Sequence, residues 1–263
     1  MTRTLLRKSM RALGYDLVPR NRSVAAKTKS GRLRPVALDT VVSAFLAGVP
    51  NAFSVQIGAN NGQLGDPMWD VILRHRVRGL LVEPQSAVFS ELRANYAEHP
   101  QLKFEQAAIA SMDGEITLYK VSADFWREHR FPGNVDTQIA SLNRAQIRKH
   151  VQMFGNERLA QNEESYLVTE SVPALTFSSL LAKHNIPSVD ILQIDTEGFD
   201  YEVLKMIDWK QHRPKILHFE DVHLSDQDRQ AAYQLLELNG YMLFAPDQNN
   251  TLGLLTQQAG DTC

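Results

Sequence analysis

From about residue 37 the hydrophobic and polar positions of the chain switch repeatedly between two periods. Residues 37–47 carry apolar side chains at helical spacing, whereas 53–58 is a short apolar run that stops at a Gly/Asn loop. The same alternation predicts helices over 67–75, 86–96, 176–184, 201–206 and 226–238. It predicts strands over 53–58, 79–83, 102–108, 116–121, 190–194, 215–219, 241–245 and 252–256. Strands separated by helices imply an α/β fold: a mostly parallel, doubly wound sheet with helices on both faces. Sheets of this kind bind ligands beyond the carboxyl ends of their strands, so the chemistry is expected where the strands stop.

Residues 123–170 break the rhythm. They are polar, with Phe125, Trp126, Phe131, Phe154 and Tyr166 set among charges. A long departure of this kind predicts an insertion that covers or walls a substrate pocket. The chain therefore divides into a basic extension and linker, 1–36, and a domain, 37–263, that carries the insertion.

Charge sharpens this division. The whole chain is nearly neutral, at −2, yet residues 1–34 contain ten Lys/Arg and one acid, Asp16. Residues 3–13 predict a short amphipathic helix, with Leu5, Leu6, Met10 and Leu13 on one face and Arg3, Arg7, Lys8 and Arg11 on the other. Such a helix either touches an anionic membrane surface or docks loosely on its own domain. Residues 41–65 lack charge, but Pro50, Asn51, Gln56, Asn60 and Asn61 mark strand and loop rather than a membrane span. The N-terminus has no apolar core of signal-peptide type. Cys263 is the only cysteine, which excludes an intrachain disulfide and a cysteine metal cluster. The expected location is cytoplasmic, with the basic extension facing the inner membrane surface, and no nucleic-acid partner is expected.

Four strand ends hold the candidate chemistry. The first strand runs into Gly58-Ala59-Asn60-Asn61-Gly62, where the glycines let the backbone turn sharply and approach a ligand. Asn60 stands where a dinucleotide fingerprint needs glycine, which disfavours a nicotinamide-dependent oxidoreductase, and no Gly-Lys-Ser/Thr follows to make a phosphate loop. The second strand ends at Glu83, placed to accept hydrogen bonds from two ribose hydroxyls. Ala107 and Ala108 close the third strand and leave room for a flat adenine ring or simply pack in the core. The fourth segment, Asp190-Ile191-Leu192-Gln193-Ile194-Asp195-Thr196-Glu197-Gly198-Phe199-Asp200, delivers Asp195 and then two more acids. Three acids so close repel one another unless a cation stands beside them. A sulfonium, a metal ion or an arginine would serve.

These segments resemble the FkbM family of S-adenosylmethionine-dependent methyltransferases. The resemblance rests on residues 55–62, 81–84, 108–119 with the Asp113-Gly114-Glu115 turn, Ser141-Leu142, and 190–204, in the family's order across about residues 50–225. It implies a Rossmann-like class I methyltransferase sheet and methyl transfer to oxygen, often on sugars or polyketide natural products. It also implies that Gly58, Asn60, Gly62, Glu83 and Asp195 line the cofactor site. Position 56, often acidic in the family, is Gln56 here. The amide oxygen can still accept a hydrogen bond from a cofactor ammonium, with less electrostatic gain.

A hydroxyl acceptor must lose its proton as the methyl arrives. The segment His218-Phe219-Glu220-Asp221-Val222-His223 should end beside Asp195. His223, whose ordinary pKa is nearest neutrality, is the first candidate base, with Glu220 second. A Mg²⁺ ion on Asp195, Glu220 and Asp221 is the alternative to this metal-free route, and the metal-free route is preferred. The resulting expectation is an S-adenosylmethionine-dependent O-methyltransferase acting on a glycan or small natural product, as in polysaccharide biosynthesis. Its rival is a catalytically silent, cofactor-binding or membrane-peripheral accessory protein of glycan assembly.

Overall fold

A computed structural model describes residues 38–129, 139–154, 161–247 and 249–256. The expected helix over 3–13, the linker and Phe131 lie outside the described residues, as do the side chains of Trp126 and Phe154. No described helix is long and apolar enough to cross a membrane.

The chain opens with α1 (Leu38–Leu46), β1 (Phe53–Ile57), α2 (Trp69–His75), β2 (Arg78–Val82), α3 (Ser86–Asn95) and β3 (Leu102–Glu105). A middle segment follows: β4 (Ala108–Ile109), β5 (Gly114–Val121), α4 (Ala123–His129), β6 (Ala140–Ser141), α5 (Arg144–Phe154) and β7 (Leu167–Leu175). The alternation then resumes through α6 (Phe177–Lys183), β8 (Ile191–Ile194), α7 (Asp200–Met206), β9 (Ile216–Glu220), α8 (Asp226–Leu238), β10 (Tyr241–Phe244) and β11 (Asn250–Leu255). Where the sequence predicts helix ends, side chains cap them. Thr176 Oγ1 accepts the Ser179 amide at 3.1 Å, and Ser225 Oγ accepts that of Asp228 at 3.1 Å.

Seven strands form the main sheet in the order β10-β11-β9-β8-β1-β2-β3. All neighbours from β9 to β3 are parallel, and β11 alone is antiparallel to both strands beside it. The order reverses at β1 and β8, so the carboxyl ends of these two strands form the switch point at which such sheets bind ligands. This is the Rossmann-like, doubly wound arrangement that the sequence implies.

Helices cover both faces, which is why the strands read as unbroken apolar runs. Leu81, Ile191 and Ile216 pack towards α1 and α2. Leu80, Val82, Leu192, Ile194, Leu217 and Phe219 pack on the opposite face against α6, α7 and α8. A polar row interrupts the first face, because the register places Gln56 beside Gln193 and Gln193 beside His218. All three are buried.

Two expectations require correction. The predicted strand over 102–108 is two strands: β3 stops at Glu105, and Ala108 pairs with Ala174 in a second sheet of order β4-β7-β5-β6. The break at 123–170 lies within this second unit, which starts earlier and ends later. Its longest pairing, β5 with β7, runs from Gly114↔Ala174 to Val121↔Leu167. Pro173 and alternating polar residues hide β7 from the hydrophobic pattern. The proline is tolerated because β4 reaches only Ala174 and Leu175 on that side. Phe125 and Tyr166, expected near a pocket, instead form a small core with Val121, Ile139, Ile147 and Val151.

Candidate active site

A cavity of about 500 Å³ opens at the carboxyl ends of β1, β2, β8 and β9. The Gly58–Gly65 loop, Glu83, Ala107 and Ala108 form one wall. Asp195, Glu197, His218 and Glu220 form another, and Ala140, Ser141 and Leu142 of the second unit close a third side. None of its described lining residues is a lysine or arginine, although Asp66, Glu83, Asp195, Glu197, Glu220 and Asp247 all contribute to it.

Backbone geometry builds the first wall. Gly58 has φ of 77°, and a Cβ there would lie 1.7 Å from the Asp195 carbonyl oxygen. Only glycine allows the ends of β1 and β8 to approach so closely. The amides of Gly58 and Ala59 donate to the Val82 carbonyl, at 3.0 and 2.9 Å. Asn60 takes the left-handed conformation, φ of 50°, and its amide donates to Glu83 Oε2 at 3.0 Å. The other Glu83 oxygen accepts from the Gln85 amide at 2.9 Å. Glu83 thus fastens the loop to the end of β2. The Gln85 side chain adds a further hydrogen bond to this carboxyl group. Burial pushes the Glu83 carboxyl up to about 7, against the pull of the two amides.

Two residues expected to line the cofactor site stand behind it. Gly62 is absent from the cavity wall. Its carbonyl accepts from the Tyr96 hydroxyl at 3.0 Å, and a Cβ there would strike Tyr96 and Leu92. Gln56 also lies beneath the cavity, where its amide nitrogen donates to Asp66 Oδ1 and Gln193 Oε1, both at 3.1 Å. The structure therefore supplies a carboxylate where the sequence shows only an amide: Gln56 holds Asp66 at the cavity wall. Asp66 Oδ2 is buried without a hydrogen-bond partner, and burial raises its carboxyl to about 6.

Charge dominates the second wall. One carboxylate oxygen each from Asp195, Glu197 and Glu220 lies within 4.8 Å of the others. Asp195 opens onto the cavity. Enclosure by the cavity walls, then Glu197 and Asp200, hold its carboxyl well above the usual range, and water in the cavity screens part of this. Burial raises Glu197 to about 8. Burial and then Asp195 and Glu197 raise Glu220 to about 11. Asp200 points elsewhere, with Oδ2 accepting the Thr196 hydroxyl at 3.0 Å. Asp221 is also turned away: its Oδ2 takes the hydroxyls of Tyr233 and of Thr251, the latter at 2.6 Å. The cation site of Asp195, Glu220 and Asp221 that the sequence offers as an alternative is therefore not assembled.

His223 does not line the cavity. It stands behind the acids, with Nε2 3.3 Å from Glu197 Oε2 and 3.5 Å from Glu220 Oε2. Burial, then His150 and Lys149, lower its pKa to about 4. His150, on α5, was not anticipated. Its Nε2 lies 3.2 Å from Glu197 Oε2 and 3.3 Å from His223 Nε2. A signal was present in the sequence: Gln146 and His150 repeat one position before Ile147 and Val151, and all four are buried. A polar pair at i, i+4 beside an apolar pair marks a helix stripe that faces protein rather than water. His218 lines the cavity, and burial lowers it to about 4.

A protein family and several solved structures resemble this chain. The family described as methyltransferase FkbM domain matches residues 56–247. Among solved structures the chain is similar to methyltransferase FkbM from Methylobacillus flagellatus KT, with 12% identity and a TM-score of 0.45 over 78% of this chain and 44% of that one. It is similar to precorrin-6y C5,15-methyltransferase from Geobacter metallireducens GS-15, with 10% identity and a TM-score of 0.38 over 79% and 80% of the two chains. A third similar structure, the Methanococcus jannaschii fibrillarin pre-rRNA processing protein, shares 8% identity with a TM-score of 0.38 over 80% and 68%. The chain thus spans less than half the length of the Methylobacillus protein. No curated protein sequence matches it. With the family matched across most of its length, the chain belongs to the FkbM methyltransferase domain family.

Proposed function

We propose that the protein is an S-adenosylmethionine-dependent O-methyltransferase acting on a hydroxyl of a sugar, glycan or small natural product. One observation carries the reading: a cavity at the switch point, rich in carboxylates, whose described lining has no lysine or arginine to balance them. Such a wall favours a cationic ligand, and a sulfonium is a cation that brings its own methyl group. In this reading Glu83 accepts both ribose hydroxyls, and Ala107 and Ala108 leave space for the adenine. Asp66, steadied by Gln56, takes the cofactor ammonium, and Asp195 faces the sulfonium.

The transfer breaks the sulfur–methyl bond and forms an oxygen–methyl bond. The sulfonium becomes a neutral thioether, and the acceptor oxygen loses its proton. Glu220 faces the cavity in contact with His223, and it takes that proton once a cation beside the acids favours its ionised form. Alignment of donor and acceptor supplies much of the rate. The side chains of Asp247, Asn249 and Asn250 on the rim suit a hydroxyl-bearing acceptor, since each carries hydrogen-bonding oxygen.

Two measurements test the proposal. Calorimetry should show binding of S-adenosylmethionine and S-adenosylhomocysteine but not of nicotinamide dinucleotides. Incubation with methyl-labelled cofactor and a panel of sugar and polyketide hydroxyls should yield a base-stable methyl ether. Tight cofactor binding with no transfer to any acceptor would favour the silent accessory protein instead.

A further inference from the structure

At the acidic wall of the cavity, three side chains from three parts of the fold converge on one point, with Glu197 in the wall and both histidines behind it. His150 comes from α5 of the second unit, Glu197 from the loop after β8, and His223 from the segment after β9. The distances are 3.2 Å from His150 Nε2 to Glu197 Oε2, 3.3 Å from His223 Nε2 to the same oxygen, and 3.3 Å between the two ring nitrogens. An ion about 2.0–2.1 Å from each of three nitrogen or oxygen ligands in tetrahedral geometry sets those atoms about 3.3 Å apart. The triangle already has that edge.

The arrangement is poor as a set of hydrogen bonds. Two imidazole Nε2 atoms face each other, so at most one can donate across the gap, and Glu197 Oε2 is buried without a hydrogen bond of good geometry. As ligands the same atoms are well disposed, since each aims a lone pair inward. The fold also holds them firmly. The Ser141 hydroxyl donates to the Glu197 carbonyl at 2.8 Å, and Ile147 and Val151 anchor the helix that carries His150.

We infer that His150, His223 and Glu197 form a binding site for a divalent transition-metal ion of the Zn²⁺ type, with an open coordination position towards Glu220 and the cavity. Two imidazoles and one carboxylate select such an ion over Mg²⁺ or Ca²⁺, which prefer all-oxygen shells. Three protein ligands with one side open is the pattern in which zinc keeps a water or substrate oxygen. The ion would offset the repulsion among the acids and tie the second unit to the strand ends. The site stands whether or not the O-methyltransferase reading holds, because it is built from protein ligands alone.

The test uses the full chain, stripped with EDTA and dialysed. Titration with Zn²⁺ should show one tight equivalent per chain and raise Tm, and excess Mg²⁺ should not compete. Co²⁺ should give the intense visible absorption of a low-coordinate nitrogen/oxygen site. H150A, H223Q and E197Q are each compared with the parent, folding being checked by circular dichroism. Any folded member of this set should lose at least tenfold in Zn²⁺ affinity together with the Co²⁺ band. Failure of the folded parent to take up Zn²⁺ at micromolar concentration overturns the inference, as does undiminished uptake by a folded variant. Calorimetry with S-adenosylhomocysteine on the same metal-free samples separates the two readings: cofactor binding without Zn²⁺ uptake removes only the metal site, and the reverse removes only the cofactor site.

Discussion

The two walls of the cavity handle buried carboxylates in opposite ways. On the Gly58 side, Glu83 gives each oxygen a backbone amide, from Asn60 and Gln85, and Asp66 Oδ1 takes Gln56 and the Met68 amide. On the other side, Glu197 and Glu220 face Asp195, each other and two histidines, and each has a buried Oε2 with no hydrogen-bond partner. On the first wall Asp66 Oδ2 is the one oxygen of these four without a partner, whereas on the second three carboxyl groups crowd within 4.8 Å of one another. Backbone amides steady the carboxyl groups of the first wall, and crowding sets those of the second against one another.

The contrast can be broken most severely at Gly58. Gly58→Ala should cost about 3–5 kcal/mol of folding stability, because it adds a left-handed alanine and a clash with the Asp195 carbonyl. Urea denaturation reads this directly, and a stable Gly58→Ala would mean that the two strand ends separate easily.

Opposite signs are expected for the same substitution on the two walls. Glu83→Gln should lower apo-protein stability and weaken S-adenosylmethionine binding by about 1–3 kcal/mol each, since an amide cannot accept at both of its ends. Glu220→Gln should leave the apo Tm unchanged or higher, because it removes one of three mutually repelling carboxyls. Equal losses in both variants would show that the walls do not differ as described.

A smaller effect sharpens the role of Glu83. Its carboxyl sits at about 7 in the free protein because burial raises it. Ribose hydroxyls donate to the ionised form, so cofactor binding should be strongest above pH 7 and weaken as pH falls through that value. The limit is about tenfold per pH unit for one proton taken up. Calorimetry from pH 5.5 to 8.5 checks this, and Glu83→Gln should flatten the profile. For stability the sign reverses: a raised carboxyl pKa contributes below the ordinary carboxylate range, and that contribution is lost as pH rises through about 7.

The least effect on either wall should come from deleting residues 1–34. S-adenosylhomocysteine affinity should be unchanged, while salt-sensitive binding to anionic vesicles, expected from ten basic residues, should vanish. Equal vesicle binding by the shortened chain would remove the anchoring role.

The sequence by itself determined the alternation of strands and helices, and with it the parallel sheet. Long apolar runs between capped helices leave a chain few other ways to bury its surface. It also determined that Gly58, Glu83, Asp195 and Glu220 stand at strand ends, since a residue's place along a strand is local information. Position relative to the ligand was less legible. Gly62 and Gln56 lie in the right loop and strand, yet their side of the backbone turns them beneath the cavity. Only the tertiary structure decided that Gln56 holds Asp66 at the cavity wall, that Asp221 turns to Tyr233 and Thr251, and that His150 meets His223. These pairings cross between 10 and 73 positions of the chain. Such pairings leave no periodic mark, because tertiary packing joins the residues: within the main sheet and its helices for Asp66 and Asp221, and between the second unit and the strand ends for His150.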